Sequence, residues 1–331
     1  MYKARNIGLD SLKIISILGM IALHTQRSLE TGVCYNPVLY YLGRFCMPVF
    51  FMINGALILE KENFDKKYFI KKTVNIIKLL TIWAIINGLF FCFYNGFSIY
   101  TFVWNFLKSL LAKGIVPFWF LFTFEIIYLI LMFKFKWIKL HLKQLLLCTG
   151  TMMIIIDVIS NLNILGGGYF IQSNISQFLR IWTWLFYFLL GYRLKNIRLS
   201  KKMKSINWVL LVLITIVSIW WQYYLCDIIL GKINSEYLYD NIIIILWCAL
   251  IFICFTNINY SEKIKSIIIF ISINSFGVFL LHGYFITLFD LTNQISNATQ
   301  SILLWGGLTI ICFICTLLLS AIPFLKTIIR Y

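Results

Sequence analysis

Lys13 and His24 stand eleven positions apart in an otherwise largely apolar run, residues 8–26, GLDSLKIISILGMIALHTQ. On a helix that spacing is roughly 16 Å of rise and falls roughly 20° from three whole turns. The two side chains therefore share a face, one near the start of the helix and the other deep within it. An imidazole can take a proton from a hydroxyl or carry an acyl group transiently, and an ammonium can hold an anionic head. A ligand with a charged head and a long thin arm would touch both. Asp10, one turn before Lys13, is expected to pair with it or to orient the helix end.

Further ionisable groups lie within apolar runs, where they are costly unless they face a partner or a cavity, so a functional reading is the default. Arg44 precedes Pro48 by four residues, and the proline frees the Arg44 carbonyl from its helical bond and kinks the segment. Arg44 stays charged and needs an anionic partner or water. Glu125 follows the aromatic stretch Pro117-Phe118-Trp119-Phe120-Leu121, and Asp157, Arg180 and His282 sit in later runs. Counted by helical rise, His24, Arg44, Glu125, Asp157, Arg180 and His282 are expected in the outer half of a bilayer, with Asp10 and Lys13 in the inner half. His141, in the basic stretch KWIKLHLK, reads as a solvated or headgroup-facing residue.

The elements that must position these groups follow from composition. The chain has 331 residues, 61% of them hydrophobic and only 12% charged, with a mean hydropathy of +0.88. Runs of about twenty apolar residues recur, which reads as a polytopic all-α integral membrane bundle. The runs are continuous rather than alternating, which argues against a β-barrel. About ten spans are expected: 8–26, 37–59, 70–95, 115–134, 142–162, 177–194, 206–226, 240–257, 266–289 and 302–325. The stretch 96–114 is short, ends in Lys108 and Lys113, and reads as interfacial or re-entrant. The first run has no small-residue cleavage site and reads as a retained helix. No repeat or separable domain is visible, so residues 1–331 form one membrane domain.

The net charge of +17 does not point to nucleic acid, because the lysines and arginines sit in alternate short loops. They precede the first run (Lys3, Arg5) and follow the second, fourth, sixth and eighth. Lys326 and Arg330 close the chain, while segments 163–176 and 290–301 hold none and 225–240 holds only Lys232. The positive-inside rule then places both termini in the cytoplasm of a multi-pass cell-membrane protein, most simply a bacterial plasma-membrane one. The basic stretch after the second run reads as orientation and lipid contact. The nine cysteines lack paired-ligand spacing and mostly occupy apolar runs, so they read as small core residues, and no metal site is expected.

Leu9-Asp10-Ser11-Leu12-Lys13, ten residues and then His24 resemble the Arg/Lys-X10-His signature of the membrane-bound acyltransferase 3 family. Arg44-Phe-Cys-Met-Pro48-Val-Phe50-Phe51-Met-Ile-Asn54-Gly55 is similar to its R-x-x-x-P-x-F-F-x-x-S-G element, with Asn54 in place of serine. Phe118-Trp119-Phe120-Leu121, Phe188-Leu-Leu-Gly191-Tyr192 and Leu280-Leu281-His282 resemble later motifs in the same order. The family's R-x-x-R appears only as Lys72-Thr-Val-Asn75, with Lys78 a turn further on. The resemblance implies transfer of an acyl group, usually acetyl, from cytoplasmic acyl-CoA to a hydroxyl of a cell-surface glycan or lipid-linked saccharide. On that basis His24, Arg44 and Asp10 are the expected catalytic residues. Lys13, Lys72 and Lys78 would hold acetyl-CoA, and Trp119, Glu125 and His282 would lie against the acceptor. The rival reading is a proton-coupled transporter or flippase of a glycan precursor, which intramembrane charges also suit. Paired inverted repeats would favour it, and none is seen.

Overall fold

The structure is a computed structural model that describes residues 5–27, 32–61, 65–110, 115, 118–231 and 235–329. Lys3, Lys113, Pro117, Lys232 and Arg330 lie outside the described residues. Local capping chemistry sets most helix starts. The Asn6 side chain accepts from the Leu9 amide to begin α1 (Ile7–Thr25), and Asn36 caps α2 (Pro37–Leu42) in the same way. A 3-10 turn over Gly43–Phe45 leads into α3 (Cys46–Ile58). Asp65 caps α4 (Lys66–Asn95), which stops at Gly96 with φ of 88°. Then come α5 (Ile99–Leu110), α6 (Trp119–Leu140), α7 (Leu142–Leu165) and α8 (Ile181–Leu194). Ser200 caps α9 (Lys201–Tyr223), which widens into a π-turn at Tyr224–Ile229. Asn241 caps α10 (Ile242–Thr256), α11 spans Glu262–Leu288, and Asn297 caps α12 (Ala298–Ser320) before α13 (Pro323–Ile329). Among the described residues the only β pairing is an isolated antiparallel bridge between Arg27 and Cys34.

Among the described residues seven segments are long and apolar enough to cross a bilayer unaided: 7–25, 37–58, 66–95, 142–165, 201–229, 262–288 and 298–320. They match seven of the ten expected spans. The other three correspond to α6, which carries Glu125, Lys134 and Lys136, and to the shorter α8 and α10. Short 3-10 turns at Gln177–Leu179 and Ser235–Asp240 precede α8 and α10.

The bundle has one basic end. There Lys195 pairs with Glu60 at 2.7 Å, and Lys139 donates to the Lys61 carbonyl at 2.9 Å. Ser11 meets Tyr260 at 2.7 Å between their hydroxyl oxygens. At the opposite end Gln26 and Ser301 exchange two hydrogen bonds of 2.7 and 2.9 Å, fastening α1 to α12. α11 runs parallel to α1, touching it through Ser272 and Asp10 near the basic end and through His282 and His24 further on.

α5 folds back along α4, where the Asn87 amide donates to the Asn105 carbonyl at 3.0 Å and the Phe102 ring covers Gly88. Ile115 then lies against Gly283 of α11, so α6 begins inside the bundle rather than at its surface.

The tightest contact joins α3 to α8. A Cβ on Gly55 would collide with the Phe188 backbone, and one on Gly191 would collide with the Met52 backbone. Small residues that let backbones touch are a main source of helix association in lipid. Two similar glycines, Gly19 and Gly43, bring α1 against the 3-10 turn that carries Arg44.

Gly55→Ala and Gly191→Ala should each lose about 1–3 kcal/mol to overpacking. The loss would show as a lower melting temperature and an aggregated fraction on size-exclusion chromatography in detergent. Gly307→Ala, whose Cβ would meet nothing within 4 Å, should behave as wild type.

Candidate active site

α1 and α11 bring His24 and His282 together, with ring centroids 5.1 Å apart and planes tilted by 48°. His282 is 1% exposed, whereas His24 keeps part of its surface accessible. The His282 Nδ1 lies 2.5 Å from the Phe279 carbonyl oxygen. A carbonyl can only accept, so Nδ1 carries the proton and the neutral ring keeps its lone pair on Nε2. His282, expected against the acceptor, is thus sealed behind His24.

The charge of Arg44 acts on His24. Its guanidinium lies over the Tyr40 ring at 4.5 Å from the centroid and donates to the Tyr40 hydroxyl. Tyr239 and Glu236 lie near enough to interact electrostatically. Arg27 lies over the same Tyr40 ring at 4.8 Å and pairs with Asp227, which also accepts from the Tyr41 hydroxyl at 2.6 Å. Arg44 is 6% exposed and its Nε has no hydrogen-bond partner among the described residues.

Toward the basic end, Lys13 and Lys72 line one cavity of about 230 Å³. Its walls come from five helices: α1 (Lys13), α3 (Phe50, Asn54), α4 (Lys72, Ile76), α6 (Phe120, Leu121) and α11 (Phe276). Phe120 and Phe276 both touch Phe279, at centroid distances of 5.0 and 5.9 Å, and Phe279 touches His282 at 5.8 Å. One aromatic ring therefore stands between the cavity wall and the imidazole pair. Asn54, in the family's serine position, faces the cavity and bonds its amide back to the Phe50 carbonyl at 2.9 Å.

Four of the remaining candidate residues lie apart from the imidazole pair and from the cavity, and Asp10 takes the helix-end alternative of its two expected places. Asp10 makes a bidentate bridge to Arg5 at 2.6 and 2.9 Å and accepts from Ser272 at 2.7 Å. It anchors the first turn of α1, where a negative charge suits the helix dipole, and it is fourteen residues, roughly 21 Å, from His24. Lys78 is exposed on α4, away from the cavity that Lys72 and Ile76 line. Glu125 lies beside Thr73, about two turns from the start of α4. It is therefore closer to the basic end than a surface start of α6 would put it, because α5 folds back along α4 and Ile115 lies against α11 before α6 begins. Trp119 stacks on Trp184 at 4.9 Å, and Trp184 in turn stacks on Phe51 at 4.7 Å, so it belongs to an aromatic ladder.

Asp157 and Arg180 form a separate buried network. Arg180 bridges Asp240 at 3.0 Å with both side chains fully buried, Thr183 donates to Asp240 at 2.5 Å, and Asn241 donates to Asp157 at 3.1 Å. It ties α7 and α8 to the turn before α10. Tyr40, Tyr239 and Phe279 were missed. Tyr40 precedes Arg44 by four residues and Phe279 precedes His282 by three, spacings that place each pair on one helical face. Tyr239 has no such local signal.

A bundle of apolar helices with a buried imidazole pair above a lysine-mouthed cavity is an arrangement suited to group transfer within a membrane. A family model described as an acyltransferase domain matches residues 6–321, and the chain belongs to the acyltransferase 3 family. No curated protein and no solved structure matches it.

Arg180→Met should lower stability by about 3–5 kcal/mol, since it strands the buried Asp240 charge. A double Arg180→Met, Asp240→Leu protein should recover much of that loss, read as the detergent melting temperature of the three variants.

Proposed function

We propose that this protein is an O-acyltransferase that moves an acetyl group from cytoplasmic acetyl-CoA to a hydroxyl of a cell-surface or lipid-linked glycan across the cell membrane. The observation that carries this reading is the alignment of the Lys13–Lys72 cavity with the His24–His282 pair. Coenzyme A has an anionic head and a long, thin, uncharged arm. Lys13 and Lys72 supply cations at the basic end, where the positive-inside rule puts the cytoplasm. The mainly apolar and aromatic walls suit the arm and its acyl group.

In this mechanism the arm follows the cavity beside α1 and presents the thioester near His24. His24, the accessible imidazole, takes the proton of the acceptor hydroxyl as its oxygen attacks the carbonyl carbon. Collapse of the tetrahedral intermediate breaks the C–S bond, leaves the ester, and returns the proton to the CoA sulfur. Negative charge builds on the former carbonyl oxygen, and the buried Arg44 guanidinium is the cation whose field acts at that level. Family membership favours acyl transfer over transport.

Detergent-purified protein supplied with a saccharide acceptor bearing free hydroxyls should release free CoA from acetyl-CoA, and His24→Ala of equal melting temperature should lose at least about 10²-fold in that rate. A His24→Ala protein that keeps the wild-type rate would refute the assignment. Lys13→Ala and Lys72→Ala should raise KM for acetyl-CoA by about tenfold, whereas Lys78→Ala should leave it unchanged, as each removes or spares one charge-assisted contact.

A further inference from the structure

His282 is the best-ordered polar group in the candidate site, yet the transfer chemistry above gives it nothing to do. Its Nδ1 proton is committed to the Phe279 carbonyl at 2.5 Å. The ring is 1% exposed, so no substrate reaches it. Among the described residues no carboxylate bonds to it, so a second proton would create an uncompensated buried charge close to Arg44. The ring is therefore neutral, and its Nε2 is a lone pair inside the protein. An unpaired acceptor there is costly.

The ring that meets it from α1 is His24. At a 5.1 Å centroid separation, rotation that turned a nitrogen of each ring toward the other would bring them to the hydrogen-bond range of about 2.6–3.2 Å. We propose that His282 is a positioning residue that accepts the N–H of His24 on its Nε2, forming a relay from the His24 N–H through His282 to the Phe279 carbonyl. Each link has one donor and one acceptor, and the chain ends on a backbone group that cannot change its protonation. The consequence falls on His24. With its proton held on the buried side, its other nitrogen is unprotonated and free to act as base on the accessible side. Without the relay an N–H on the buried side has no acceptor, so the tautomer with its proton on the accessible side, inert as a base, dominates.

The geometry stands without the acyl-transfer reading, but the catalytic consequence rests on it, so the test separates the two. His282→Phe fills the same space and keeps the aromatic contacts with Phe279, but cannot accept. His282→Gln can accept through its amide oxygen. The first readout is the rate at which diethyl pyrocarbonate, which acylates the unprotonated imidazole nitrogen, modifies His24 in detergent-purified protein, followed by peptide mass spectrometry. The Gln variant should react within about threefold of wild type and the Phe variant at least about tenfold more slowly, at equal melting temperatures. His24 reacting as fast in the Phe variant as in wild type would overturn the relay.

A second readout needs no variant. Nitrogen-15 histidine spectra of the wild-type protein should show His282 protonated on Nδ1 and bare on Nε2, and a protonated Nε2 would also overturn it. CoA release from acetyl-CoA, with a saccharide acceptor bearing free hydroxyls supplied, is measured beside both. If wild type releases none while the tautomer and the reactivity pattern hold, the relay stands and the acyl-transfer reading falls. If CoA is released equally by wild type and the Phe variant, transfer stands and the relay falls.

Discussion

Backbone-to-backbone contact is the constraint on which the rest of this structure depends. In lipid, helices gain little by burying apolar side chains against one another, because the surrounding tails are equally apolar. What holds them is close packing and the hydrogen bonds that closeness permits. The Gly55–Phe188 and Gly191–Met52 contacts lock α3 to α8. That lock seats Phe51 between Phe124 and Trp184 at 4.5 and 4.7 Å, which fixes α6. α3 and α6 are two of the five walls of the lysine-lined cavity, so its shape follows from where two glycines let two backbones meet. The Gly19–Gly43 contact does the same for the site above, since it presses the turn bearing Arg44 onto α1.

Charge is sorted by depth around that frame. Arg5, Asp10, Lys13 and Lys72 lie toward the basic end, where Arg5 and Asp10 neutralise each other and the two lysines face the cavity. The middle is aromatic. Toward the opposite end the charges reappear as Arg27 with Asp227 and Arg180 with Asp240. Arg44 differs from those two arginines, since no carboxylate lies within ion-pair reach of it among the described residues and its nearest polar contact is a phenol. A buried guanidinium held by a neutral partner keeps more of its field for a transient anion than one quenched by a carboxylate.

The fold class was legible because apolar periodicity and lysine-rich loops are local signals, and they marked seven helices that are long enough to span. Lys13 and His24 were legible for the same reason, because helical pitch alone puts both on the face that meets α11. Depth was harder. Glu125 was counted outward from a helix assumed to start at a membrane surface, and the fold-back of α5 along α4 removes that assumption. Asp10 was read as pairing with Lys13 or orienting the helix end; it does the second, but with Arg5, a partner from the chain before α1 that no helical spacing reveals. The Gly55 and Gly191 motifs were visible separately, while their contact was not, because complementarity between helices far apart in sequence leaves no local trace.

Phe279 shows how one helical turn can separate two tasks. Its ring contacts Phe120, Phe276 and His282, closing the end of the cavity, while its backbone carbonyl holds the Nδ1 proton of His282. A protein that activates a hydroxyl next to a thioester must keep water from the same base, and a ring at the cavity end does that until an arm displaces it. If the group that moved were also the group that set the imidazole tautomer, opening the cavity would disarm the base. Here the ring can turn about side-chain bonds without disturbing the carbonyl, which belongs to the helix backbone. Ring position and proton placement are thus set by different atoms of one residue, three positions before His282.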